Sequence, residues 1–309
     1  MHRRRDRLHH AQAVAVRLAA IALALAAVGV VRADVQKIGK DGTVHRIDVQ
    51  PFAVGQTVGT VLVHTRQWAS GGHDATNVPG TDDVAIDRDP ALEVDPNTGN
   101  LLLVWSRNDG SGFSLYFSKY DGTSWSPPRR LVRSTSDVSD PQIRFNATGT
   151  VLHVVWSQQD GSGANSFYRL TFDATTYAAV YGPERLPTDD TGTDSTPMTS
   201  NRYFCGFQSG RVSGDSGRLF LWGVRDEPVP ITSHQTFLLP PCARAAAQMD
   251  VEWLAGKLTL WMYDGAGRLY YSVRLDAGWT PVRVVEVTSL TSASDARLLL
   301  NDLNARGSQ

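Results

Sequence analysis

Cysteine is nearly absent: Cys205 and Cys242 are the only two in 309 residues. Neither has a second cysteine or histidine at ligand spacing, so the sequence offers no zinc site. No other metal and no cofactor motif is expected. Beyond residue 33 there is no long apolar run, and therefore no expected spanning helix. Runs of lysine or arginine are also missing there, as is any basic amphipathic stretch, which argues against nucleic acid and anionic membrane as partners.

Residues 1–33 read as an export signal. Arg3, Arg4, Arg5 and Arg7 form a basic start, Leu18 to Val31 an apolar core, and Val31-Arg32-Ala33 a small-residue approach to a cut before Asp34. The apolar core is shorter than the roughly 18–20 residues that a spanning helix needs. Such a leader carries six arginines and one aspartate. Without it, 30 basic and 31 acidic residues become 24 and 30, a mature charge of about −6. The expected product is a secreted or periplasmic monomer, one domain over 34–309. In an oxidising compartment Cys205 and Cys242 are expected to pair.

What the chain does have is a repeat. Asp89-Pro90 recurs as Asp140-Pro141, and Asp109-Gly110-Ser111-Gly112 recurs letter for letter as Asp160-Gly161-Ser162-Gly163, both 51 residues on. A fixed period of this size means one supersecondary unit used several times. Within the unit, Leu101 to Trp105 is a short apolar run of strand length. Asp109-Gly110 supplies a hairpin turn. Ser114 to Tyr120 alternates as a half-buried strand, and Pro127-Pro128 stops the pairing. With Ala91 to Val94 this makes about four strands per period, which predicts an all-β chain, a β-propeller of four-stranded antiparallel blades.

Blade starts fall at Asp89, Asp140, Asp194 and near Gln248. Asp295 resembles one more start, so the preferred count is five blades, the last a composite of 34–88 and 289–309. Six blades is the alternative, as is a short helix from Ser294 to Gly307. Trp105, Trp156, Trp222 and Trp261 recur on second strands and are expected in the core between neighbouring blades. An aspartate follows the first three of these by four residues and Trp261 by only three, at Asp264. Trp68 and Trp253 fall outside the pattern and are candidates for ligand contact. The four start aspartates, Asp89, Asp140, Asp194 and Asp295, are candidates to present carboxylates near the axial mouth.

Ser118-Lys119-Tyr120-Asp121-Gly122-Thr123-Ser124-Trp125 stands in the turn between third and fourth strands. It resembles the aspartate box of the bacterial neuraminidase repeat, found in sialidase-superfamily propellers, although Asp121 and Gly122 are adjacent where the family spaces them. Ser272 to Trp279 is a weaker match. The resemblance implies a propeller, with Asp121, Gly122, Trp125 and Trp279 in structural roles. A sialidase would also need an Arg-Ile-Pro motif and three arginines converging on a carboxylate. Here Arg46-Ile47 is followed by Asp48, and no triad can be assigned. The reading is therefore an exported, non-catalytic module that binds a glycan or an envelope or extracellular protein. The alternative is a glycoside hydrolase, sialidase-like or furanosidase-like, with a diverged site.

Overall fold

The computed structural model describes residues 34–55, 57–110, 112–132, 136–159, 165–188, 193–199, 203–209, 218–223, 231–232, 234–239, 248–263, 267–286 and 293–306. Among these the strands form five antiparallel sheets. The first holds β1 (Asp34–Ile38), β2 (Val44–Val54), β3 (Thr57–Gln67) and β4 (His73–Asn77). The second holds β5 (Ile86–Val94), β6 (Leu101–Asn108), β7 (Phe113–Tyr120) and β8 (Arg129–Val132). The third holds β9 (Val138–Phe145), β10 (Val151–Gln159), β11 (Asn165–Asp173) and β12 (Ala179–Arg185). The fourth holds β13 (Thr193–Thr199), β14 (Tyr203–Ser209), β15 (Arg218–Gly223) and β16 (Gln235–Leu238). The fifth holds β17 (Gln248–Leu254), β18 (Lys257–Tyr263) and β19 (Arg268–Leu275), with an outer edge in two pieces, β20 (Gly278–Trp279) and β21 (Arg283–Glu286). Pro281 lies in the break between these pieces, where a residue without an N–H cannot join the ladder. From β1 through β5, β9 and β13 to β17, the first strand of each sheet lies against the first strand of the next. Blades of a propeller meet in this way.

The second strands are continuous apolar runs because both their faces are covered. Leu102 and Val104 pack toward the third sheet, while Leu101, Leu103 and Trp105 pack toward the first. Trp156 and Trp222 likewise face the sheet before their own. Trp222 departs from the expected second-strand position: it lies on β15, the third strand of its sheet, because β14 takes the second place. Trp105, Trp156, Trp222 and Trp261 are all fully buried. Each indole N–H has an acceptor: Asp87, Gln158, the Pro187 carbonyl and Glu252 respectively.

Trp261 departs from the expected packing between blades. Leu258, Leu260 and Met262 take the face toward the fourth sheet, and Trp261 points the other way. A shift of one residue along a strand exchanges its faces, and the shortened Trp261-to-Asp264 spacing is the sequence trace of that shift.

What Trp261 meets is a helix, α1 (Ala293–Arg306), which lays Ala296 and Leu300 against it. The expected closing strand at Asp295 is thus corrected. Asp295 sits in the first helical turn and Arg306 in the last, both favourable to the helix dipole. Leu299 and Leu303, four apart, add to the buried stripe. All four strands of the first sheet come from 34–77, so it is not a composite with the C-terminal segment. Arg297 bonds Glu252 at 2.8 Å, and Asn301 accepts from the Ala255 N–H at 2.8 Å, fixing the helix to β17 and its turn.

Candidate functional site: a cleft between the first two sheets

The four start aspartates are not four equivalent strand starts. Asp89 and Asp140 are equivalent: each has a left-handed backbone, φ 52° and 49°, at a bulge in its first strand. The Asp89 carboxylate accepts from the Asp140 N–H at 3.4 Å and pairs with Arg88 at 3.3 Å. The repeated aspartate thus links two adjacent first strands. In β13 the bulge falls at Thr196, so Asp194 lies off the equivalent position, and its side chain is outside the described residues. β17 pairs with β18 without a bulge, and Asp295 is helical. Cys242 and the side chain of Cys205 also lie outside the described residues.

The turns that resemble an aspartate box hold sheets together. Asp121 Oδ1 accepts from the Thr123 and Ser124 N–H groups, both at 2.9 Å, and Ser118 Oγ reaches the Ser126 carbonyl at 2.6 Å. Gly122 has φ +96°, which glycine adopts without a side-chain penalty. This turn delivers Trp125 to the first sheet, where its indole donates to His64 Nδ1 at 3.1 Å. Ser272 Oγ and the Thr280 carbonyl repeat the serine bond at 2.6 Å, and Trp279 meets Phe237 of the fourth sheet edge-on. A third copy escaped sequence reading. Asp173 Oδ1 accepts from the Thr175 and Thr176 N–H groups, and Tyr177 reaches back to Asp95 of the second sheet at 2.5 Å. Its signal was Asp-x-x-x-aromatic after a strand, with tyrosine in place of tryptophan.

Between the first and second sheets lies a cleft of about 320 Å³. Its walls are the β1–β2 turn with Lys40 and Asp41, the end of β3 with Arg66 and Trp68, the β5–β6 turn with Thr98 and Asn100, and the box turn with Tyr120 and Asp121. Trp68, a candidate from the sequence, is 37% exposed here. An ideal Cβ at Gly72 would lie 3.0 Å from the Trp68 ring, so glycine lets the ring fold over its own turn. Trp253, the other candidate, is exposed on β17, away from this cleft.

Arg66 is held by Asp74, donates to Tyr120 Oη at 2.5 Å, and lies 5.5 Å from the centre of the Trp68 ring. The Tyr120 hydroxyl in turn donates to the Gly122 carbonyl at 2.8 Å. Lys40 donates to the Asn97 carbonyl at 3.0 Å. Asp41 accepts from the Thr43 N–H at 3.0 Å and its hydroxyl at 2.8 Å. Backbone donors hold Asp41 and Asp121 below the ordinary carboxylate range.

Beneath the cleft, His45 Nδ1 and His64 Nε2 are 3.0 Å apart. Both rings are buried, and burial pushes His45 down and His64 down to about 4. This pair was not singled out from the sequence. Its signal was parity, since His45 alternates with Thr43 and Ile47 and must share their buried face.

Burial also pushes Asp87 up to about 7, but this carboxylate is fully enclosed by Trp105 and Arg107 and does not line the cleft.

No protein-family model and no curated protein matches the chain. Solved structures do. Hadza microbial sialidase Hz136 superposes with a TM-score of 0.55 at 13% identity over 82% of this chain. Trypanosoma rangeli sialidase in complex with the inhibitor DANA gives 0.53 at 9% over 90%, and a puromycin hydrolase 0.52 at 18% over 81%. The chain spans 58%, 57% and 39% of their respective lengths. Such identities establish a shared propeller fold, and a fold of this kind hosts many functions.

Proposed function

We propose that the chain is an exported propeller that binds a neutral, hydroxyl-rich ligand, a glycan, in the cleft between its first two sheets, without hydrolysing it. The observation that carries this reading is the composition of the cleft. An exposed tryptophan stands beside alternating donors and acceptors, the mixture that a sugar's apolar face and hydroxyl rim require. Both carboxylates there are held in the ionised form by backbone donors, which suits them to accept from hydroxyls and not to act as general acids. Export rests on the basic start and apolar core of residues 1–33.

The test pairs glycan-array binding with a fluorogenic sialoside and a fluorogenic arabinofuranoside. Array binding with no release of either fluorophore is expected. Turnover on the order of 1 s⁻¹ on either substrate would make the chain a hydrolase and overturn the reading.

A further inference from the structure

The histidines beneath the cleft form a chain with only one possible direction. The Trp125 indole can only donate, so His64 Nδ1 must accept and carries no proton. Neutral His64 then has its proton on Nε2 and must donate to His45 Nδ1. Neutral His45, with Nδ1 occupied as an acceptor, carries its own proton on Nε2. That atom lies beside Gly39 at the cleft wall: an ideal Cβ on Gly39 would sit 3.1 Å from it. His45 is 7% exposed, and among the described residues no hydrogen bond takes its Nε2. His45 Nε2 is not fully enclosed, so water reaches it from the cleft, and a ligand oxygen entering there would replace that water as acceptor.

We propose that His45 is the specificity residue of the cleft, a fixed N–H donor that reads an acceptor oxygen on a neutral glycan. This rests on the cleft being the binding site, and it adds which ligand atom is read and by what. The surroundings favour an uncharged ligand. Arg66 is already paired with Asp74 and Lys40 already donates to a carbonyl, while Asp41 and Asp121 would repel an anion. Reversing the chain would require a proton on His45 Nδ1 and another on His64 Nδ1, facing the indole N–H. Trp125 thus fixes the tautomer of a residue in the cleft that it does not itself line.

The experiment is long-range proton–nitrogen NMR of histidine-labelled protein, titrated with the methyl glycosides of galactose, mannose and N-acetylglucosamine, and with acetate as an anion control. His45 and His64 are expected as Nε2–H tautomers, and at least one glycoside should move the His45 Nε2–H and Trp68 indole signals together. His45→Phe should weaken that glycoside about tenfold or more. Trp125→Phe, which removes the donor that sets the direction, should give His45 a mixture of tautomers. His45 found with its proton on Nδ1 overturns the inference, whether or not the variants fold. A glycoside that moves Trp68 and leaves His45 unmoved overturns it while the cleft reading stands. If no glycoside moves either signal, both fall, and a response of His45 to acetate alone refutes the neutral ligand.

Discussion

At the scale of single residues, buried titratable groups set how the protein responds to acid. Burial pushes His64 down to about 4 and His153 down to about 3. A histidine whose folded value lies below its unfolded value binds fewer protons folded than unfolded, so its contribution is complete above about pH 6.5 and is lost as pH falls toward the folded value. Asp87, raised to about 7, acts oppositely: its burial favours the protonated form, and stability falls as pH rises from about 4 to 7. His45, also pushed down by burial, acts with these two histidines, and the three oppose one raised aspartate, so the melting temperature should drop between about pH 7 and about pH 4.5. His153→Gln should narrow that drop, as thermal melts at the two pH values will show; an unchanged difference would remove His153 from the account. None of this was legible beforehand. A histidine's burial follows from strand parity, but its partner, here Thr171 at 3.2 Å across the β10–β11 pair, does not.

At the scale of elements, the turn between third and fourth strands matters most. Trp125, Tyr177 and Trp279 leave three such turns, and each packs on the preceding sheet. Tyr177 donates to an aspartate that also holds the Asn97 and Thr98 N–H groups, and the Tyr177 hydroxyl is pushed up to about 12. Tyr177→Phe removes a hydrogen bond to a charged group and should cost about 1.5–3 kcal/mol in urea unfolding. A cost near zero would mean that the tyrosine ring alone fastens the sheets. Gly59 makes a second, independent point. A Cβ there would stand 2.6 Å from the Ala85 carbonyl and 2.7 Å from that of Asp83, both backbone, so Gly59→Ala should destabilise through overpacking by about 1–3 kcal/mol. The turn at Ser118 to Trp125 could be marked in advance by its residue types. The copy at Asp173 could not, because Ala174 and Tyr177 stand in place of the glycine and tryptophan that mark it. The helix at Ala293–Arg306 competed with a strand reading until its leucines were seen to cover Trp261.

At the scale of the whole molecule, the second and third sheets were legible because they are near copies, and the 51-residue offset carries even the paired bulges at Asp89 and Asp140. The first sheet was not, since it lacks the tryptophan and the Asp-Gly-Ser-Gly turn, and half of the cleft is built from it. Of the site, the sequence marked Trp68, Asp121 and Gly122. It could not show that β3 and the box turn face each other, because that meeting depends on how two sheets pack. The central claim is that this meeting makes a binding site. Calorimetric titration of an array-positive neutral glycan into wild type and Trp68→Ala, with mass analysis of the recovered sugar, tests it most directly. The account predicts affinity weakened about tenfold or more in the variant, a nearly unchanged melting temperature because Trp68 is already partly exposed, and intact sugar from both proteins. Equal affinity in the two proteins, or cleaved sugar from either, would contradict it.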